Sequence, residues 1–173
     1  GAGYNDRLME TRISMYDTIL AALRDNATAD ALVAARELVT ASPNDPQAHR
    51  WLAAALQQDL QTVAALESMD RAIALAPEDA GLHLALAGIL VSSSRHDEAQ
   101  AALAAASRLN PNEFQAYLMQ AQLALGRGEL EEAERFSRLA ARVFPDHPRL
   151  AAIDGMVALN RGDSARAMQI VSM

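Results

Sequence analysis

The side chains of this sequence that could do chemistry include two histidines at a regular spacing. His49 and His83 lie 34 residues apart, which would bring two imidazoles to equivalent places in a repeated structure. A zinc or other transition-metal site needs further carboxylate, thiolate or imidazole ligands beside them, and the sequence has no Cys. We therefore interpret both histidines as packing residues and predict neither a metal nor any other cofactor.

The other candidates for catalysis have simpler structural explanations. The serine run at 92–94 lacks the flanking glycines of a nucleophile elbow, and the Gly-Arg-Gly segment at 126–128 is too short to cradle a phosphate. The paired acids at 97–98 and 131–132 fall in the predicted first turns of helices, where the positive end of the helix dipole favours carboxylates. The sequence supports no reaction, so we predict a protein that is not an enzyme.

The net charge and the hydropathy of the sequence argue against nucleic acid and the membrane interior as partners. The net charge is −7 at pH 7, so phosphate backbones and anionic lipid headgroups would be repelled, and nucleic acid is not an expected partner. No run of 18 apolar residues is present, so we expect no direct insertion into a membrane. All 15 basic residues are Arg, which together with the many alanines is typical of a bacterial protein.

The elements that hold these side chains follow from an internal repeat. Pro43, Pro77, Pro111 and Pro145 are each 34 residues apart. An alanine stands twelve places before each proline, and Ala167 continues that series into a fifth copy. A constant period of this length predicts stacked repeats, in which each copy shares its apolar face with its neighbours.

Within each copy, two amphipathic segments separated by a polar break predict a helical hairpin. Gly128 and Gly162 should adopt the positive φ of two of these turns, whereas the break at 58–61 has neither Gly nor Asn. Asn26 or Thr28 is the expected N-cap of the second helix. The predicted helices are Tyr4–Arg24, Ala29–Ala41, Gln47–Gln58, Gln61–Leu75, Leu82–Val91, Asp97–Leu109, Phe114–Leu125, Leu130–Val143, Arg149–Asn160 and a last one from Ser164.

These residues resemble the tetratricopeptide repeat, a 34-residue helix-turn-helix unit with small residues at positions 8 and 20 and Pro at position 32. With Pro111 at position 32, Ala87 and Ala99 occupy the two small positions. The first unit departs from the pattern with Ile19 at position 8, and Gln120 and Asp154 stand where position 7 is usually apolar. The resemblance implies an all-α fold: an α-solenoid of stacked antiparallel helix pairs in a right-handed superhelix, with about ten helices.

The repeat also sets the expected domain organisation. Residues 1–3 look like a cloning remnant, and residues 4–173 are predicted to form a single domain. Its units are 12–45, 46–79, 80–113, 114–147 and a truncated 148–173. We interpret the chain as a piece of a larger bacterial protein, from the cytoplasm or the periplasm.

The resemblance further implies a protein-interaction scaffold whose first helices line a concave groove through positions 2, 5, 9, 12 and 13. The predicted lining is mostly apolar, with several glutamines, and lacks the Lys and Asn positions of the family's carboxylate clamp. It therefore suits an apolar or amphipathic peptide or helix. The predicted groove residues are Tyr16, Leu20, Leu23, Arg50, Ala54, Gln57, Leu84, Gly88, Val91, Gln115, Leu118, Gln122, Leu125, Arg149, Met156 and Leu159.

Other interpretations remain open at this point. The long first helix carries an apolar stripe, at Met9, Ile13, Tyr16 and Leu20, that could join two copies as a homodimer. The groove could instead be filled by another segment of the same chain or by a second copy. The repeats could also be an accessory segment of an enzyme whose catalytic domain is elsewhere. Trp51, the single tryptophan, could pack between units or show a face to the groove, and of these we expect packing.

Overall fold

The computed structural model describes residues 2–172, apart from the side chains of Ala2, Tyr4 and Val171. Within that range there are ten α-helices and no strand. The predicted all-α fold is confirmed, and the helix bounds agree with the predicted ones to within about two residues. Gly1 and Met173, the outer ends of the predicted remnant and of the fifth unit, lie outside the described residues. The helices are α1 Ala2–Arg24, α2 Thr28–Ala41, α3 Pro46–Gln58, α4 Thr62–Leu75, α5 Ala80–Ser92, α6 His96–Leu109, α7 Phe114–Gly126, α8 Leu130–Val143, α9 Pro148–Asn160 and α10 Ser164–Val171.

The turn inside each hairpin has the same backbone conformation in all five copies. One residue per turn adopts a left-handed φ between 59° and 77°, and these residues are spaced by 34 positions: Asn26, Leu60, Ser94, Gly128 and Gly162. The prediction for the two glycines is confirmed. The break at 58–61 forms the same turn without a glycine, because Leu60 accepts the left-handed conformation there.

The first residues of α3 are capped by a side chain, whereas those of α2 are not. In α3 the Oδ1 atom of Asp45 accepts a hydrogen bond of 3.0 Å from the backbone N–H of Gln47, and Pro46 occupies the first turn. The predicted cap of α2 is wrong: its N-cap is Ala27, with no side-chain hydrogen bond. Asn26 is used by the left-handed turn, and Thr28 is already the first helical residue.

The chain forms two compact units, Gly1–Ile89 and Leu90–Met173, and the division falls within α5. In the first unit, α1 packs on α2 and α3, and α3 also packs on α2 and α4. Ile19 and Leu38, which stand where later copies have alanine or glycine, are both completely buried. These two larger side chains fill the core of the first unit in place of the closer helix contact that small residues allow.

In the second unit, α7 packs on α6, α8 and α9, and α9 also packs on α8 and α10. Leu118, Phe136, Leu150 and Ile153 belong to its apolar core. Ser137 is buried in the same region and donates a hydrogen bond of 2.8 Å to Oδ1 of Asp154. Asp154, one of the two polar residues at position 7, is therefore accommodated by a hydrogen bond between α8 and α9.

The described helices include none that is both long and apolar enough to cross a membrane. The assignment of residues 4–173 to a single domain stays a prediction.

Candidate functional site

The first unit has a cleft between α3 and α5, with one residue of α4 at its base. We call it the first cleft, and its volume is about 300 Å³. Six of its eight lining residues have no charged or amide side chain, so the surface is largely apolar. The lining residues are Arg50, Trp51, Ala54, Gln57, Met69, Ala85, Gly88 and Ile89.

Arg50 and Trp51 form the polar edge of the first cleft. The guanidinium carbon of Arg50 lies 5.2 Å from the centre of the Trp51 ring, a cation–π arrangement. Its Nη1 atom donates a hydrogen bond of 3.3 Å to Oε1 of Gln47. The amide nitrogen of Gln47 donates in turn to Oδ2 of Asp79 at 3.2 Å, and Oδ1 of Asp79 accepts from the backbone N–H of Gly81 at the start of α5. These contacts fix the position of the guanidinium while leaving most of its N–H donors available.

Gly88 keeps the floor of the first cleft open. A Cβ atom built on Gly88 would meet no other atom within 4 Å, so the space above this residue is empty. The absence of a side chain on α5 at this point therefore makes room for a group from outside the chain.

The second unit has a comparable cleft between α7 and α9, the second cleft, with a volume of about 410 Å³. Ile153 forms its buried floor, while the side chain of Met156 is 50% exposed. Like the first cleft, it combines apolar side chains with one arginine and one glutamine. The lining residues are Gln122, Leu125, Arg149, Ala152, Ile153 and Met156.

The two clefts bring together half of the predicted groove residues. Those that line a cleft are Arg50, Ala54, Gln57, Gly88, Gln122, Leu125, Arg149 and Met156. Four others, Leu20, Leu84, Val91 and Gln115, are half-buried on first helices of their hairpins, and Leu159 is 55% exposed on α9.

Three predicted groove residues serve the core instead. Leu118 is completely buried within the apolar core of the second unit, where it packs with residues of α8 and α9. Leu23 and Tyr16 pack against the core of the first unit. Leu118 is thus unavailable to a partner, because its side chain is completely enclosed in the core of the second unit.

Ala152, which stands at a groove position of the fifth unit, also lines the second cleft. Sequence reasoning missed the other five lining residues. Met69, Ile89 and Ile153 are buried core residues whose side chains also form the bases of the clefts, and Ala85 is half-buried. Trp51 packs against the core as expected, but it also lines the first cleft. A signal for Trp51 was its place beside Arg50 on the helix that carries the groove positions, whereas no sequence pattern separates a cleft floor from ordinary core.

The two histidines have equivalent structural roles. The Nε2 atom of His49 donates to the carbonyl oxygen of Pro43 at 2.7 Å, and Nε2 of His83 donates to that of Pro77 at 2.8 Å. Each imidazole therefore links the start of a helix to the proline turn before it. Among the described residues there is no group of three or more His, Asp or Glu side chains that could hold a metal ion.

A cluster of polar groups links α1 to the start of α3. Arg12 and Tyr16 both donate hydrogen bonds to Oδ2 of Asp45, whose side chain is 9% exposed. Burial acts to raise the pKa of Asp45, but the hydrogen bonds from Tyr16, Arg12 and the Gln47 N–H, with the charge of Arg12, lower that pKa below its ordinary value. Burial and the bond to Asp45 raise the pKa of Tyr16. The cluster is part of the fold and not a reactive centre, because every group in it has an internal partner.

The first half of α1 presents an exposed apolar surface. Leu8, Met9 and Ile13 are 46%, 60% and 57% exposed. The two other residues predicted for self-association, Tyr16 and Leu20, are half-buried. The surface that a second copy could reach is therefore the N-terminal half of the predicted stripe, with Leu8 added to it.

Comparison with solved structures shows proteins of the same fold. PilF of Pseudomonas aeruginosa has 22% identity and a TM-score of 0.84, over 93% of this chain and 73% of that chain. MamA from Desulfovibrio magneticus RS-1 has 18% identity and a TM-score of 0.77, over 93% and 91%. A thermophilic tetratricopeptide-repeat protein of Thermus thermophilus has 20% identity and a TM-score of 0.75, over 93% and 88%. No curated protein matches the sequence.

The repeated hairpins, with clefts between their first helices, define a helical-repeat protein of the solenoid class whose general role is that of a protein–protein interaction scaffold. The family model of the tetratricopeptide repeat matches residues 61–123 and 90–154, which together span more than half of the chain. The chain belongs to the tetratricopeptide-repeat family. Proteins of this family are generally non-catalytic scaffolds.

Proposed function

We propose that this protein is a non-catalytic scaffold that binds apolar or amphipathic segments of a partner protein in the first and second clefts. The observation that carries the proposal is the open space above Gly88, within a lining of apolar side chains. Burying one leucine-sized side chain in such a cleft contributes about 1.5–3 kcal/mol. Four such anchors would contribute roughly 6–12 kcal/mol, and the costs of association and of ordering the segment offset part of this. The expected dissociation constants therefore lie in roughly the micromolar to millimolar range.

The first cleft is tested by filling it. Gly88→Leu places an apolar side chain in the empty space, and the helix should tolerate it because Gly is less favourable than other residues in a helix interior by about 0.5–1 kcal/mol. Ala74→Leu, at an exposed position of α4, adds the same kind of side chain away from the cleft. Peptides selected on the wild-type protein from a random dodecamer display library serve as probes.

We expect those peptides that bind the first cleft to lose at least about tenfold in affinity on Gly88→Leu and to bind the Ala74→Leu control normally. Circular dichroism melts of both variants check that the fold is intact. If every selected peptide bound Gly88→Leu as tightly as the wild type, the first cleft would not be a binding site.

The second cleft has a closely matched pair of positions for the same test. Ala152 lines the cleft, whereas its neighbour Ala151 is also exposed on α9 but is not part of the lining. Ala152→Arg should prevent binding to the second cleft by bulk and charge, and Ala151→Arg should have little effect. Equal affinities of a selected peptide for the two variants would exclude the second cleft as its site.

Self-association is a second candidate function, favoured by the exposed apolar surface of α1. We propose that Leu8, Met9 and Ile13 contact the same surface of a second copy, since an isolated apolar patch on a helix is stabilised by cover. Ile13→Glu should shift the protein to a monomer in sedimentation equilibrium at tens of micromolar. Ser14→Glu, one residue further along the exposed helix, is the control. A wild-type protein that is strictly monomeric at these concentrations would end this candidate.

A further inference from the structure

We infer that the segment bound in the first cleft carries a carboxylate side chain next to its apolar anchor. This inference rests on the proposed function of the cleft and names the chemistry of its partner. It follows from the charge and the position of Arg50 within the first cleft. The second cleft independently combines an arginine, Arg149, with apolar side chains.

The first cleft contains a cation, Arg50, with which no carboxylate forms a direct ion pair in the described part of the chain. No carboxylate of the described residues belongs to the lining of the cleft. Arg12 provides the contrast, because its guanidinium is bound by Asp45 of the same chain. An arginine without a direct ion pair inside the protein is a favourable contact for an acidic group from outside.

The guanidinium of Arg50 is also held in place. One face lies over the Trp51 ring, and Nη1 donates to Gln47, which is itself bound to Asp79. Because one hydrogen bond uses only one of its five N–H groups, the remaining donors can bind a carboxylate in the forked geometry that arginine favours. An arginine fixed in advance loses less side-chain freedom on binding than a mobile surface arginine does.

The rest of the lining supplies the apolar half of the binding site. Ala54, Met69 and Ile89 line the same cleft as Gly88 and Arg50, so an apolar anchor seated in this cleft shares it with the guanidinium. The second cleft repeats this arrangement with Arg149 beside Ile153 and Met156, and again no acidic side chain belongs to the lining. A segment with a carboxylate next to an apolar side chain contacts both the arginine and the apolar lining of a cleft. A lysine or arginine in place of that carboxylate would be repelled by the arginine of the cleft.

The carboxylate should come from an aspartate or glutamate within the segment and not from a chain end. A terminal carboxylate is usually held by several donors, and the first cleft offers one cation with apolar residues around it. A side-chain carboxylate needs only that one forked contact, while the backbone of the segment continues past the cleft.

The test uses a random dodecamer library displayed with a blocked C-terminus. It is panned separately on the wild type and on Arg50→Gln. We expect the wild type to select peptides with Asp or Glu adjacent to Leu, Ile, Met or Phe, and Arg50→Gln to lose that preference. One enriched peptide is then synthesised with its acidic residue and with the corresponding amide. Its binding is followed by the fluorescence of Trp51, which is the only tryptophan and lines the cleft.

Replacing the acidic residue by its amide should weaken binding to the wild type by about tenfold or more, as for loss of a hydrogen bond between charged groups. The same replacement should have almost no effect on Arg50→Gln. Arg50→Lys should retain only part of the preference, because lysine keeps the charge without the planar fork. Arg36→Gln removes the same charge from an exposed place on α2 and should behave like the wild type.

Two results would overturn the inference and leave the proposed function standing. One is equal affinity of the acidic and amide peptides for the wild type, with binding still lost on Gly88→Leu. The other is a synthetic peptide without Asp or Glu that binds the wild type more tightly with a free C-terminal carboxylate than with a C-terminal amide. Selected peptides that leave both the Trp51 fluorescence and the Gly88→Leu affinity unchanged would instead refute binding in the first cleft itself.

Discussion

The phenol hydroxyl of Tyr16 donates a hydrogen bond to Oδ2 of Asp45, 29 residues further along the chain. Because Oδ1 of the same carboxylate caps α3 at the N–H of Gln47, this bond joins α1 directly to the start of the next hairpin. Gln47 and Asp79 repeat the arrangement one unit later. The carboxylate at the end of each of these two repeats is therefore both a helix cap and a link between hairpins.

Asp45 should contribute a pH-dependent part of the stability. Since its pKa is lowered in the folded protein, the unfolded chain binds this proton more tightly, and the stabilisation is complete above the ordinary carboxyl pKa of about 3.9. The stabilisation is lost as the pH falls through that value towards the lower pKa of the folded state. Asp45→Asn should lower the free energy of unfolding by roughly 1–2 kcal/mol at pH 7 and weaken its decrease in acid.

Urea unfolding at pH 7, 5 and 3 measures this effect. Asp70→Asn, which removes an exposed carboxylate from α4, controls for the lost charge. An acid dependence of Asp45→Asn that matches the wild type would show that Asp45 does not carry the linkage.

The turn at Leu60 should be a site of stored strain. Leu60 has a φ of 61° and its side chain is 87% exposed, so it adopts the left-handed conformation without compensating burial. This conformation costs a residue with a Cβ atom about 1 kcal/mol, and glycine adopts it freely. Leu60→Gly should raise the free energy of unfolding by about 0.5–1 kcal/mol, measured by denaturant titration. Gly128→Leu, the reverse change at the equivalent turn, should lower it; the same sign of change in both variants would contradict this account.

Gln120 should make the protein less stable than an apolar residue at the same position would. It is 3% exposed, and its Oε1 atom has no hydrogen-bond partner in the described part of the chain. An unsatisfied buried oxygen costs about 1–3 kcal/mol, and the equivalent positions of two other copies hold Leu52 and Leu86. Gln120→Leu should therefore increase the melting temperature. The exposed Gln122 is the matched control position, and Gln122→Leu should change the melting temperature little. A lower melting temperature of Gln120→Leu would show that the amide of Gln120 forms a stabilising hydrogen bond.

Leu118 should affect stability and not partner choice. Because it is completely buried in the core, Leu118→Ala should cost about 2–5 kcal/mol in unfolding free energy. Leu159→Ala, at a 55% exposed position of α9, should change stability by less than about 0.5 kcal/mol. Thermal melts by circular dichroism compare the two. A melting temperature of Leu118→Ala close to that of the wild type would show that the core around Leu118 can rearrange.

The internal repeat was sufficient to predict the fold from the sequence. Prolines and alanines at a spacing of 34 residues fix where each hairpin begins and ends, and the ten helices follow from that spacing. The resemblance also placed Arg50, Gly88 and Arg149 on the inner faces of first helices, and these residues do line the clefts. Local rules were enough here, because a repeated unit meets the same neighbours in each copy.

What the sequence by itself determined is the helical-repeat architecture and the set of positions from which a binding surface could be chosen. Only the tertiary structure decided which of them stay open. Leu118 and Gly88 both stand at groove positions in the sequence. Leu118 is nevertheless enclosed in the core of the second unit, whereas Gly88 lies beneath open space. The physical reason is that exposure depends on how closely neighbouring helices pack, which is set by side chains far apart in the chain and not by the local pattern.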